Sequence, residues 1–137
     1  MKSITINSRS KTEMLDMTGQ IQQVISKSGF EDGLAYIYVP HTTGAVTVNE
    51  GADPAVKRDI IEVLNEIIPW NFDYRHMEGN SPAHIKTSLM GPGVHVIVEN
   101  GRLCLGTWQK IFFCEFDGPR KRKVWIKFIW QDGGTVK

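Results

Sequence analysis

The sequence predicts an α+β domain, an antiparallel β-sandwich or open barrel carrying two main helices. Three observations carry that expectation. Segments rich in β-branched and aromatic residues recur along the chain and crowd together after Gly91-Pro92-Gly93. Two other stretches repeat apolar residues at three- and four-residue intervals. At 137 residues, 41% hydrophobic and 23% charged, the chain has the length and composition of one domain, 1–137. Such a domain buries its core without a disulfide or structural metal, so any metal is expected to be functional.

Each element has its own signal. Residues 2–8 alternate as a first strand, and Asp16 reads as the N-cap of a helix that carries Met17, Ile21, Val24 and Ile25 on one face and stops at Ser28-Gly29. Leu34–Val39 suits a pleated surface and Pro40 stops it, which leaves His41 at a strand rim. Ala45–Glu50 reads as the next strand. Asp53-Pro54 then supplies an N-cap with proline at the first helical position, and Val56, Ile60, Ile61, Val63, Leu64, Ile67 and Ile68 form an apolar stripe up to Pro69. Trp70–Pro82 has no period and is long enough for a functional loop. Ala83–Met90 is a short helix. The strands that follow are Val94–Val98, Leu103–Leu105, Lys110–Phe116 and Lys123–Trp130, with Asn100-Gly101 a hairpin turn between the first two. Aromatic residues fall on both faces of the last two strands, which implies burial on both faces, including in an oligomer.

Composition also excludes partners. A formal charge of +1 and a pI near 7.8 give no global field toward nucleic acid or an anionic membrane. The basic run Arg120–Lys123 follows Asp117-Gly118-Pro119 and reads as a solvated hairpin tip. Cys104 and Cys114 lie in apolar runs without metal or redox spacing and read as buried thiols. No window approaches the roughly 18 apolar residues of a membrane span, and the N-terminus lacks an apolar signal core, so a cytoplasmic protein is expected.

Chemistry gathers at three histidines. His76-Met77-Glu78-Gly79-Asn80-Ser81-Pro82-Ala83-His84 brackets a carboxylate between two imidazoles in a bent loop, and His41 stands at a strand end before Thr42-Thr43. Three imidazoles meet the needs of a catalytic divalent ion with an open position. Spacing alone fits no local template, and His95, inside a strand pattern, reads as structural or surface. Glu78 has no helix to cap and is the acid–base candidate. Glu50 and Asp53 suit a base, an oxygen ligand or a partner to a ligand, although Asp53 already has the capping role. Lys86, Ser88, Thr42 and Thr43 are donors for a phosphate. Gln109 follows a glycine-marked strand irregularity from which it could orient a ligand.

The ordered set Pro40-His41-Thr42-Thr43, Val48-Asn49-Glu50 with Asp53-Pro54, Tyr74-Arg75-His76, Glu78-Gly79-Asn80, Ala83-His84-Ile85-Lys86, Ser88-Leu89 and Gly101 through Gly106-Thr107-Trp108-Gln109 resembles the YjbQ-like family. These are small proteins described as secondary thiamine-phosphate synthases. The resemblance implies an antiparallel β-rich fold, a homotrimer with sites near subunit boundaries, and His41, His76 and His84 as metal ligands. Around them it places Glu50, Asp53, Glu78, Asn80, Lys86, Ser88 and Gln109. Some relatives carry a further histidine where this chain has Pro82. Imidazole ligands favour zinc or another transition ion over magnesium.

Three functions follow. The resemblance implies condensation of a pyrimidine diphosphate with a thiazole phosphate, the metal, Lys86 and the Thr42-Thr43 hydroxyls stabilising the departing diphosphate. The ligand set also suits a metal-dependent hydrolase of a phosphorylated or other small polar molecule, with Glu78 or Glu50 as base. A non-enzymatic trimeric module that holds a small anion is the third.

Overall fold

In the computed structural model, which describes residues 1–131, eight strands and three helices follow one another in the order β1 (Lys2–Asn7), β2 (Glu13–Asp16), α1 (Thr18–Ser28), β3 (Gly33–Tyr38), β4 (Gly44–Glu50), α2 (Pro54–Ile67), α3 (Ser81–Met90), β5 (Gly93–Glu99), β6 (Arg102–Leu103), β7 (Gln109–Glu115) and β8 (Lys121–Trp130). They form two curled antiparallel sheets, one of five strands ordered β1-β8-β3-β5-β6 and one of three ordered β2-β7-β4. The α+β class and the open, half-barrel arrangement are those the sequence predicts.

The sheets face each other across the main core. Val124 and Ile126 of β8, Ala35 and Ile37 of β3 and Val96 and Val98 of β5 meet Val46, Ile111 and Phe113 of the small sheet. α1 touches strands of both sheets and drives Ile21 and Ile25 into the same cluster. A second core lies on the far side of the small sheet, where Ala45, Phe112, Cys114 and Phe116 meet Leu64 of α2 and Ala83 of α3. β7 is therefore buried on both faces within one chain, and desolvation pushes the Cys114 thiol up to about 12.

Several expectations are corrected. β2 was not anticipated, because four residues, Glu-Met-Leu-Asp, are too short to show a period. Met17 occupies the N-cap position of α1, while Asp16 ends β2 and accepts the Thr18 amide at 2.9 Å. Asp117-Gly118-Pro119 is not a hairpin, since β7 and β8 belong to different sheets and the turn carries the chain between them. The basic run after it is not fully solvated, for Arg122 is buried. Cys104 is exposed. Of the α2 stripe, Leu64 and Ile68 are buried, but Val63 and Ile67 face outward.

Other signals hold. Asp53 caps α2 by accepting the Ala55 amide at 2.9 Å, with Pro54 opening the helix. Asn100-Gly101 makes the β5–β6 turn with both φ angles positive, at 52° and 73°. Burial on both faces, expected for the last two strands, holds for β7 but not for β8, which is buried on one face only within the chain because no second layer covers its outer side. Its outer face, with β3 and β5, exposes a stacked row of Tyr36, Tyr38 and Trp125 beside Ile97 and Ile129. No helix among the described residues is long and apolar enough to cross a membrane.

Candidate functional site

The adjacent strands β4 and β7 organise the polar chemistry, because each of their two ends carries a cluster. The register pairs Gly44 with Glu115 at one end and Glu50 with Gln109 at the other. Seven residues at a strand's rise put these ends about 20 Å apart.

At the Gly44–Glu115 end four segments enclose a cavity of about 330 Å³. The β3–β4 connection supplies His41, Thr42 and Thr43, and the loop before α3 supplies His76, Glu78 and Asn80. His84 comes from the first turn of α3, Asp117 and Arg120 from the passage between sheets, and Arg122 from the start of β8, into which that passage runs. Local rules position them. Gly44 lets β4 begin hard against Phe113, where a Cβ would stand 2.6 Å from the ring. Gly79 takes a left-handed φ of 76° and turns the chain into α3.

The wall of this cavity is an ion pair. Glu115 is fully buried and binds Arg122, whose Nε donates to it at 2.9 Å and whose Nη2 donates to it and to Thr43 Oγ1, the latter at 2.9 Å. Burial alone would raise the Glu115 pKa. Donation from Arg122, Ser8 Oγ at 2.6 Å and the Asp117 amide at 3.0 Å outweighs it and holds the carboxyl below its ordinary range. Asp117 is likewise held low against partial burial by Asn80 Nδ2, which donates at 2.9 Å, and by Arg120. His41 is pushed down by burial and by the charge of Arg122, which favours the uncharged imidazole. Its Nε2 accepts the Lys123 amide at 2.9 Å.

His76 and His84 stand edge to face with ring centroids 5.2 Å apart. No hydrogen bond among the described residues engages either ring, and Asn80 Oδ1 is buried nearby without a partner. Two free imidazoles beside the Glu78 carboxylate suit a transition ion. Among the described residues, no three His, Cys, Asp or Glu side chains already stand in position to hold one.

The Glu50–Gln109 end is different, for one oxygen of each of its polar side chains is committed to a neighbouring backbone amide. Glu50 Oε2 accepts the Ala52 amide at 2.7 Å and the Asp53 amide at 3.3 Å, Asp53 caps α2, and Gln109 Oε1 accepts the Gly106 amide at 2.8 Å. Lys86 also lies outside the cavity. Its side chain is fully buried, with Nζ donating to Asn65 Oδ1 and lying 5.1 Å from the Trp70 ring centroid. Ser88 donates to the His84 carbonyl at 3.1 Å and does not reach the cavity. Of the residues the sequence singled out, His41, Thr42, Thr43, His76, Glu78, Asn80 and His84 come together, whereas Glu50, Asp53, Lys86, Ser88 and Gln109 do not join them within one chain. Asp117, Arg120 and Arg122 were missed. The signal for Arg122 was present, since it shares the inward alternation of Val124 and Ile126.

The UPF0047 protein YjbQ-like family model matches residues 2–131. The chain belongs to the YjbQ-like UPF0047 family. The UPF0047 protein YugU of Bacillus subtilis is 49% identical over 94% of this chain and 98% of its own, and a UPF0047 protein of Methanocaldococcus jannaschii is 52% identical over 90% of each. Among solved structures, an uncharacterized YjbQ/UPF0047 family protein from Clostridium acetobutylicum superposes with a TM-score of 0.91 at 47% identity, covering 94% of this chain and all of that one. A conserved hypothetical protein of Thermus thermophilus gives 0.89 at 39%, covering 94% of this chain and all of that one. Membership accounts for the fold and for the ordered motif set.

Proposed function

We propose that the histidine cavity is the active site of a metal-dependent hydrolase acting on a small phosphorylated molecule. The observation that carries this is the pairing of two unengaged imidazoles, His76 and His84, with a carboxylate, Glu78, on one small polar cavity. His76 and His84 would hold a transition ion, which supplies an acidified water and charge neutralisation when bound. Glu78 takes the proton of the attacking water. Arg120 and Arg122 bring positive charge to the developing phosphate, and the buried pair with Glu115 keeps Arg122 in place.

Hydrolysis is better supported than synthesis of thiamine phosphate. Lys86, expected to assist the metal on the departing diphosphate in the synthase reading, is turned into the protein against Asn65. Partners of the same kind complete the reading. The exposed row of Tyr36, Tyr38, Trp125, Ile97 and Ile129 and a second apolar patch of Ile67, Phe72 and Ile85 supply the two distinct surfaces that a cyclic homotrimer requires.

The test is phosphate release from p-nitrophenyl phosphate and a panel of phosphomonoesters, after chelation and re-addition of zinc, manganese, cobalt or magnesium. A pyrimidine diphosphate with a thiazole phosphate is assayed in parallel. Metal-dependent turnover that falls by about 10²–10⁴-fold in Glu78→Gln is expected. Turnover that survives both Glu78→Gln and His76→Ala would exclude this cavity.

A further inference from the structure

The two sides of the histidine cavity differ in what they offer. On the side of the loop and α3, His76, His84 and Glu78 present lone pairs. On the side of the sheets His41, Thr43 and Arg122 offer donors, while the Asp117 carboxylate is already engaged by Asn80 and Arg120. His41 accepts the Lys123 amide at Nε2, and since a backbone amide can only donate, the neutral ring carries its proton on Nδ1. Thr43 Oγ1 accepts from Arg122 Nη2, which leaves the Thr43 hydroxyl hydrogen to give. Arg122 spends Nε and Nη2 on Glu115 and Thr43. Its Nη1 bonds to nothing among the described residues, and the side chain lines the cavity, so this nitrogen is the donor Arg122 has left to give.

We infer that His41, Thr43 and Arg122 form an oxyanion subsite for the phosphoryl group of the substrate, with His41 donating from Nδ1 to the anion rather than ligating the metal. This rests on the reading of the cavity as a phosphate site and assigns its parts differently from the three-histidine ligand set that the family resemblance implies. All three donors are pre-set. Arg122 is clamped by buried Glu115, Thr43 is held by Arg122, and His41 is held by the backbone of β8, so little reorganisation accompanies binding. A cavity of about 330 Å³ is at the small end of ligand sites, which suits a compact phosphate ester. Two carboxylates also line it. Asp117 is engaged by Asn80 and Arg120, which leaves Glu78 as the lining carboxylate without a hydrogen-bond partner among the described residues.

Zinc alone and inorganic phosphate alone, each titrated calorimetrically into the full chain after chelation, separate the two roles. Thr43→Val and His41→Leu are expected to weaken phosphate by about tenfold each, the loss of one hydrogen bond to a charged group. His41→Leu is expected to keep zinc affinity, and His76→Ala to lose it. His41→Asn, which restores a donor near the Nδ1 position, regains phosphate affinity. Long-range ¹H–¹⁵N NMR of the native chain checks the tautomer directly, with His41 expected as Nδ1–H before and after zinc. Zinc affinity that falls as far in His41→Leu as in His76→Ala, or phosphate affinity unchanged in both His41→Leu and Thr43→Val, overturns the subsite and leaves the metal site standing. A native chain that binds neither probe overturns both readings.

Discussion

The two ends of the β4–β7 pair carry similar inventories of polar residues and put them to different use. At the Glu50–Gln109 end Glu50, Asp53 and Gln109 each give one oxygen to a nearby backbone amide, and the cavity of about 470 Å³ that Gln109 lines is walled mostly by apolar residues such as Val48, Val94, Val96 and Leu105. At the Gly44–Glu115 end the His76 and His84 rings and one nitrogen of Arg122 are left without partners, and a buried ion pair holds the scaffold around them. Unengaged imidazoles converging on a polar cavity, rather than the presence of acidic residues, mark the histidine end as the site.

The largest effect on stability belongs to the histidine end. Glu115→Gln leaves the Arg122 charge buried without its counter-ion, and chemical denaturation is expected to show a loss of roughly 3–5 kcal/mol. The native carboxyl titrates below its unfolded value of 4.5, so its contribution is complete above that pH and lost as pH falls through the lower folded value. Wild type is therefore expected to lose stability over that acid range by more than the variant does. Equal acid profiles would show that Glu115 is no anchor.

A smaller effect tests the contrast within α3, where His84 faces the cavity and Lys86 the interior. Burial first, and then the charge of Lys11, lowers the Lys86 pKa from 10.5. Between the folded and unfolded values the unfolded chain binds more protons, so stability rises with pH in that window. Unfolding of wild type and Lys86→Met at successive alkaline pH values is expected to shift in favour of wild type up to about pH 10.5. A gap that stays constant would place the lysine in solvent.

The smallest effect belongs to the other end. Asp53→Ala removes a helix cap and is expected to cost about 1 kcal/mol in unfolding while leaving turnover unchanged. A large loss of turnover without loss of stability would move Asp53 from scaffold to chemistry and break the comparison.

Much of this was legible in the sequence. Asp53-Pro54, Asn100-Gly101 and the alternation of β3 and β5 act through neighbours along the chain, so local rules suffice for them. That His41 lines one cavity with His76 and His84 depends on how β3, β4 and α3 pack, which no spacing along the chain reveals. Arg122 was hidden because its run of basic neighbours suggests a solvated turn, although the strand period turns it inward with Val124 and Ile126. Lys86 was misleading for the opposite reason. An exposed donor was expected there, and the second core under α3 buried it beside Trp70 and Asn65.

Metal content measured by elemental analysis on gently purified protein tests the division between the two ends most directly. One transition ion per chain is expected in wild type and in Asp53→Ala, and none in the double variant His76→Ala/His84→Ala. An ion that persists without those two imidazoles, or that disappears with Asp53, would contradict the account.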